Sequence, residues 1–382
     1  MIDVLVAGGG PVGLAAAICC AQAGLSVTVA EPRAAPVDKA CGEGVMPAAV
    51  RRLTALGVTP AGHPLRGIRY VDAAHQADAR FRHGHGLGVR RTVLHAALAA
   101  RAAALGIPVL PVKVSTFAQD ADHVTAAGVE ARYLVAADGL HSTIRRAVEQ
   151  DSRAPEGSTP ARPRPGVARD LAPQRYGLRR HYRVAPWTDL VEVHWTPHAE
   201  AYVTPVSPDM VGVALLFAKP HRERLPSAGA GPGATQQAAP DGSRDDGNFQ
   251  ARLSAFPALL DRIDGADPAS ELRGAGPMRQ DVRRRVHGRV LLVGDASGYV
   301  DALTGEGLGV GLAQADALAA CLAVGRPADY ERAWRRASGP AWRFTAGLLW
   351  SRNQPLLGPR LVPFAQHFPW IFTTLVNHVA EA

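Results

Sequence analysis

The turn Gly8-Gly9-Gly10-Pro11-Val12-Gly13 has the composition of a site that receives an anion. Gly8 permits a sharp turn, Gly10 lets a pyrophosphate approach the backbone at a helix N-terminus, and Gly13 lets helix and strand pack closely. The first helical amides and the helix dipole supply the attraction. Glu31, at the end of the next strand, stands where an acidic residue can take two hydroxyls of an adenosine ribose and repel a 2'-phosphate. A glycine-containing strand–helix turn without a ligand is the rival reading; the ordered succession of turn, helix, second strand and acid weighs against it. Two later strand ends carry related chemistry. Asp138-Gly139 follows the apolar run 134–137, and its aspartate can accept a ribose or ribityl hydroxyl, although a simple Asp-Gly turn is the alternative. Gly294-Asp295-Ala296 follows the apolar run 290–293, where Asp295 can bind a polyol hydroxyl. The glycine-rich turn 301–307 then opens a small-residue helix whose entering amides can stabilise negative charge. Two distant Gly/Asp strand ends beside one phosphate loop call for a large dinucleotide.

The elements that must position these residues follow from the pattern. Residues 2–7 read as a strand, 14–23 as a helix closed by Gly24, and 27–30 as a second strand. The turn-rich 32–47 carries Arg33, Asp38, Lys39, Cys41, Gly42, Glu43 and Gly44. It could wall the cofactor cavity, with Arg33 at the adenosine end and Gly42-Glu43-Gly44 near the reactive ring, or be an ordinary polar crossover. Cys41 has no histidine near it in sequence and reads as an inert cavity thiol. Residues 68–71 and 77–81 read as strands, and Arg90-Arg91 open the helix 92–105, with Arg91 favoured for a cofactor role. Residues 109–114, 124–126 and 133–137 read as further strands, and the polar 149–170 as a surface loop or domain connection.

From residue 175 the period changes. Segments 176–184, 189–195, 199–205 and 210–217 read as an antiparallel sheet able to cover a cofactor and hold substrate. Val191, Val193 and Trp195 share one face, Glu192 and His194 the other. His181, Tyr182, His194, Tyr202 and Thr204 are pocket candidates, with solvent-facing polarity the rival for each. No defined catalytic dyad follows from their spacing. The Gly-, Ala- and Pro-rich 221–248 reads as a mobile excursion, 249–263 as helical, and 278–285 as the return to the first domain. The tail from Tyr330 reads as helical stretches with turns at Pro340, Pro355, Pro359, Pro363 and Pro369. It is apolar enough to seal a cavity, form a dimer contact or associate weakly with lipid.

The 382 residues suffice for two domains or for one with a sizeable inserted part. The net charge of +8 lacks the aromatic–basic interleaving of a nucleic-acid groove and suits an anionic cofactor or substrate. Four cysteines without metal spacing, and an N-terminus that begins directly with a core strand, point to a reducing cytoplasmic compartment. No apolar run is long enough to span a bilayer.

Taken together, the glycine turn with Glu31, Leu134-Val135-Ala136-Ala137-Asp138-Gly139 and Arg289-Val290-Leu291-Leu292-Val293-Gly294-Asp295-Ala296 resemble the flavin-dependent monooxygenase superfamily, which has the fold of para-hydroxybenzoate hydroxylase. Lys39-Ala40-Cys41-Gly42-Glu43-Gly44 and Leu303-Thr304-Gly305-Glu306-Gly307 are similar to the branch of geranylgeranyl reductases, flavin-dependent halogenases and bacterial tailoring hydroxylases. The resemblance implies an α/β fold: a Rossmann-like FAD-binding domain (1–66, 86–170 and 277–330), an antiparallel-sheet substrate domain (67–85 and 171–276) and a helical C-terminal segment (331–382). It implies Gly8, Gly10, Pro11 and Gly13 at FAD, with Glu31 and Arg33 at the adenosine. Arg91, Gly294 and Asp295 would meet the pyrophosphate–ribityl region, and Gly305, Glu306, Gly307, Leu308 and Gly309 the isoalloxazine, with Gly42 near the ring. Asp138 and Gly139 would form the motif linked to both FAD and nicotinamide. Glu43 joins His181, His194, Tyr202 and Thr204 as a substrate candidate.

The halogenase-type Trp-x-Trp-x-Ile-Pro segment is absent, and the lysine that serves the halogenating species has no obvious counterpart, although Lys39 prevents a flat exclusion. The chain is too short for the extra thioredoxin-like domain of larger aromatic hydroxylases. The activity favoured on this resemblance is hydroxylation of a phenolic or resorcinolic natural product through a flavin C4a-hydroperoxide, with O2 and transiently bound NADPH or NADH. The alternatives, in order, are an FAD-dependent reductase of a prenyl chain or other alkene, a halogenase and a non-enzymatic flavin-binding protein. The expected partners are a small aromatic or lipid-like substrate and O2, without nucleic acid or metal, for a monomer or homodimer.

Overall fold

The computed structural model describes residues 1–151, 174–218 and 242–381. Ile2–Ala7, Val27–Ala30, Val129–Ala136 and Val290–Leu292 form the parallel centre of one sheet, with the opening strand in the middle and Val109–Leu110 outside Val27–Ala30. These strands are almost continuously apolar because both faces are covered. Val4, Val6, Val29 and Val135 pack with Ala15, Leu98 and Leu318 of helices Pro11–Gln22, Arg91–Ala104 and Gly307–Ala323. The alternate residues Leu5, Ala7, Leu134 and Leu292 pack against Ile144 and Val148 on the opposite face.

Register then decides where the motifs emerge. Ala7 stands opposite both Ala30 and Ala136, and Ala136 opposite Leu292. The residues that follow, Gly8, Glu31, Ala137 and Val293, therefore leave the sheet side by side at its carboxyl edge, the place where open parallel sheets bind ligands. The strand expected over 109–114 is shorter, because Pro111 has no N–H to continue a ladder.

The second sheet runs in the order Arg175–Arg183, Met210–Ala218, Ala199–Ser207, Leu190–Trp195, Gly67–Val71 and Gln76–Arg80. All of these pairs are antiparallel except Leu190–Trp195 with Gly67–Val71. The sheet is thus mixed rather than antiparallel throughout, since tight turns force antiparallel pairing only on consecutive strands and Gly67–Val71 comes from far upstream. One face carries Val203, Val213 and Phe217 against Phe249, Leu253 and Leu259. The expected helical stretch 249–263 is two helices, Gly242–Leu253 and Pro257–Ile263. The predicted excursions fall largely outside the described residues, over 152–173 and 219–241.

Helices Tyr330–Asn353, Leu361–His367 and Pro369–Ala380 close the tail. The turn expected at Pro340 does not form; the first of these helices passes through it. Proline costs that helix one hydrogen bond, and burial of Trp334, Ser338, Ala341 and Thr345 on one side holds the helix together. Asn377 ties the last helix to the second sheet by accepting from the Arg82 amide at 2.7 Å and donating to the Arg80 carbonyl at 2.9 Å. Among the described residues no helix is long and apolar enough to cross a membrane.

Candidate functional site

A cavity of about 360 Å³ runs from the carboxyl edge of the parallel sheet to the C-terminal helices. Gly8, Gly10, Pro11, Gly13, Arg33, Gly42, Arg91, Asp138, Gly139, Gly294, Asp295, Gly305, Gly307 and Leu308 all line it. At the glycine turn the reason for each residue is local. A Cβ on Gly13 would sit 1.9 Å from the Gly8 carbonyl oxygen, so helix and strand approach closely only without a side chain. A Cβ on Gly10 would meet nothing nearer than Arg91 Nη2 at 4.0 Å, which leaves the backbone open to an approaching group. Arg91 Nε is buried without a partner beside this opening. A bare anion-binding turn, a free guanidinium nitrogen and an adjoining cavity fit a dinucleotide pyrophosphate.

The Gly9 peptide is held at both ends. Its N–H donates to Glu31 Oε2 at 2.9 Å, and its carbonyl accepts from His95 Nε2 at 2.8 Å, which fixes the proton on that nitrogen. Burial would raise the Glu31 carboxyl, but bonds from Arg33 and the Gly9 amide overcome it and hold the group below its ordinary value. Arg33 Nε and Nη2 reach the two carboxylate oxygens at 2.7 and 2.9 Å. Glu31 therefore does not line the cavity as a bare acid but braces the turn with its charge compensated. His95 escaped the sequence reading, although its place one turn after Arg91 on the same helix could have revealed it.

Asp138 divides its two oxygens. Oδ2 accepts from the Thr143 and Ile144 amides at 2.8 and 3.3 Å, capping the helix Thr143–Asp151, while Oδ1 is buried without a partner in a residue that lines the cavity. Such an oxygen is suited to a ligand hydroxyl. Arg145, given no role from sequence, joins this turn to the third motif, donating to the Leu140 carbonyl at 3.0 Å and the Asp295 carbonyl at 3.3 Å. Gln314 accepts from the Gly294 amide at 2.7 Å and fixes that corner from the Gly307–Ala323 helix.

Glu43 lines the cavity with φ of 60°, a left-handed conformation unusual for a residue with a side chain. Its own carboxylate holds it there. Oε1 accepts from the Arg91 amide at 2.9 Å, and Oε2 lies 2.6 Å from His181 Nε2. Arg179 Nη1, an obligate donor, lies 3.1 Å from His181 Nδ1, so Nδ1 accepts and Nε2 donates to Glu43. Arg179 continues to Asp38 Oδ1 at 2.5 Å, pinning the 37–45 loop to the second sheet. The pairing of Glu43 with His181 was not legible from spacing. His181 supports the cavity wall from behind. Thr204 does likewise, donating to the Gly42 carbonyl at 2.8 Å. Tyr202 lines the cavity and donates to the Leu303 carbonyl at 2.8 Å. His194 stands on the strand face opposite Val191 and Val193, 3.3 Å from Glu192 Oε2, and is turned away from the cavity that those valines line.

Glu306 and Gly309 line a small adjoining pocket beside Ala48 and Val379 rather than the main cavity. Burial pushes the Glu306 carboxyl up to about 7, and its Oε2 has no partner. The unfolded group titrates near 4.5. Between these values the folded chain holds a proton that the unfolded chain has released, so this group's stabilisation is complete below pH 4.5 and lost as pH rises to about 7. Glu306→Gln is expected to raise the melting temperature above that of the parent by roughly 2 to 5 °C above neutrality and little in acid. Thermal melts across this interval check it; a difference independent of pH contradicts it.

Beyond the sheet edge the cavity becomes apolar. Ile68, Val191, Val193 and Leu216 form one wall, and Phe344, Leu348, Phe364, Phe372 and Val376 the other. Tyr70 packs on Phe372 with ring centroids 4.6 Å apart. The tail thus supplies cavity wall from all three of its helices.

The fold is the one seen in solved structures of flavin-dependent halogenases and of a hydroxylase, with a Rossmann-like domain at the N-terminal half. Residues 1–168 match the family described as FAD binding domain. Over 369 residues the chain is 28% identical to menaquinone reductase of Mycolicibacterium smegmatis, covering 87% of this chain and 79% of that protein. It is 26% identical over 338 residues to digeranylgeranylglycerophospholipid reductase 1 of Methanopyrus kandleri, covering 81% and 77%. Among solved structures, the flavin-dependent brominase Bmp2 superposes with a TM-score of 0.75 at 16% identity, covering 100% of this chain and 94% of that one. The flavin-dependent halogenase CmlS superposes with a TM-score of 0.72 at 18% identity, covering 92% and 65%.

Proposed function

We propose that this FAD-dependent oxidoreductase is a reductase that saturates a carbon–carbon double bond in an isoprenoid-like chain, with NAD(P)H as electron source. The observation that carries the reading is the long apolar arm of the cavity, walled by Ile68, Val193, Leu216, Leu348 and Phe372. Such a surface holds a hydrocarbon chain by burial alone and offers little to orient the hydroxyl of a small phenol. The two reductases similar to this chain over most of its length support the same class of substrate.

Within this reading Gly10 and Arg91 receive the pyrophosphate, Glu31 and Arg33 face the adenosine, and Asp138 and Asp295 serve ribose or ribityl hydroxyls. Gly305, Gly307 and Leu308 bring the amides of a helix N-terminus to the isoalloxazine. When bound, FAD supplies hydride chemistry. This chain's own part is to seat the alkene against the apolar walls, keep water from it and hold the 37–45 loop still through Glu43, His181 and Arg179.

The test is stimulation of NAD(P)H oxidation by prenylated lipids or quinones, followed with an oxygen electrode. The reductase reading expects alkene-dependent oxidation of NAD(P)H without matching O2 consumption. Stoichiometric O2 uptake with a phenolic or resorcinolic compound supports a hydroxylase instead, and halide dependence supports a halogenase.

A further inference from the structure

Seven of the twelve large apolar side chains exposed among the described residues fall between positions 350 and 375. Leu356 and Trp370 are 71% and 69% exposed, and Trp350, Phe364 and Phe368 stand out with them. Single exposed apolar residues need no explanation, but this concentration on consecutive elements does. Phe364 and Leu375 are 46% and 43% exposed and also line the cavity, so the apolar arm opens within this face.

Charge points in a consistent direction. From residue 350 to residue 380 the sequence has neither aspartate nor glutamate; of its two arginines, Arg352 is paired with Glu200 and Arg360 is exposed. A surface that joins exposed Trp, Phe and Leu to an acid-free segment carrying the exposed Arg360 is complementary to an anionic lipid interface. The helix Pro369–Ala380 has 12 residues, about 18 Å of length, which suits lying in the interface plane and cannot cross a hydrocarbon core of about 30 Å.

We propose that the face formed by Trp350, the 354–360 turn and the helices 361–380 docks on the surface of an anionic bilayer, where a membrane-held chain enters the cavity between Phe364 and Leu375. The account of the entering chain rests on the reductase reading; the docking itself does not.

The experiment is cosedimentation of FAD-loaded protein with vesicles of phosphatidylcholine alone or containing phosphatidylglycerol, at low and high salt. The proposal expects binding to the anionic vesicles, weakened by salt, with a blue shift of tryptophan emission. The double variant Leu356→Ser with Trp370→Ser alters neither cavity wall nor motif. It is expected to keep its flavin absorbance and bind at least about tenfold less tightly. Absence of vesicle binding, or equal binding by the variant, overturns the proposal. So does a dimer, seen by ultracentrifugation, that disappears in the variant, because the face then belongs to a second copy. Reduction of a short, water-soluble isoprenoid without vesicles separates the two readings. Turnover without vesicle binding defeats the docking alone, and vesicle binding without turnover of any alkene defeats the reductase reading alone.

Discussion

Gly13→Ala is expected to yield no FAD-loaded protein. The added carbon would lie 1.9 Å from the Gly8 carbonyl oxygen and 3.1 Å from the Ala137 Cβ, and neither obstacle is the far end of a flexible side chain. Gly8 cannot retreat, because its φ is +107° and its own missing Cβ already faces the Ala137 carbonyl at 2.5 Å. The opening helix would have to lift from the sheet, opening the contacts of Val12 with Gly294 and Gly311 as it moved. Gly10→Val separates this packing effect from ligand binding. That position has open space in the folded chain and an ordinary extended conformation, so the variant should fold and melt within a few degrees of the parent. Its side chain would occupy the approach to the anion site, and FAD affinity should fall by about 100-fold or more. Circular dichroism melts and the ratio of flavin to protein absorbance distinguish the cases. Full flavin occupancy in Gly13→Ala, or unchanged affinity in Gly10→Val, contradicts this account of the turn.

The second large effect concerns the apolar arm. Leu348 lies on the cavity wall contributed by the helix Tyr330–Asn353 and is partly exposed, so a larger ring there can enter the cavity without displacing a packed core residue. Leu348→Trp is expected to shorten the arm. Long prenyl substrates should lose about 100-fold in kcat/KM, carried mainly by KM, while a short isoprenoid loses only a few-fold. Flavin content should be unchanged, since the residue belongs to none of the three strand-end motifs. Steady-state kinetics over a series of chain lengths makes the measurement, and a loss independent of chain length removes the arm from substrate binding.

These expectations show where the sequence was informative. The glycine turn, Asp138-Gly139 and Gly294-Asp295 were legible because each is a local conformational requirement written in consecutive residues. Their convergence follows from the pairing of Ala7 with Ala30 and Ala136, and of Ala136 with Leu292, which the shared apolar runs made natural. Features made between distant segments were not legible. The parallel contact of Gly67–Val71 with Leu190–Trp195 has no turn to announce it. Arg145 bridges two motifs 157 positions apart, from Asp138 to Asp295, and the Glu43–His181 contact joins residues 138 positions apart. His194 was misplaced because buried polarity on the far face of a strand has the same residue types as a pocket. Pro340 was read as a break because local propensity favours one, whereas tertiary burial of the same helix prevailed.

Glu31 is the instructive intermediate case. Its position after the second strand was legible, but its partnership with Arg33 and the Gly9 amide makes it a brace as well as a candidate ribose ligand. The structure replaces an isolated acid with a compensated one, and changes what its removal should do: Glu31→Ala would release the Gly9 amide as well as the charge.

The most direct test is the product formed under nitrogen. FAD-loaded protein, reduced in the absence of O2 and mixed with a polyprenyl lipid that carries no quinone, should return to the oxidised flavin spectrum and yield a product heavier by two hydrogens. Failure of every alkene to reoxidise the flavin, with a product one oxygen heavier formed from a phenolic substrate only after O2 is admitted, would contradict the account.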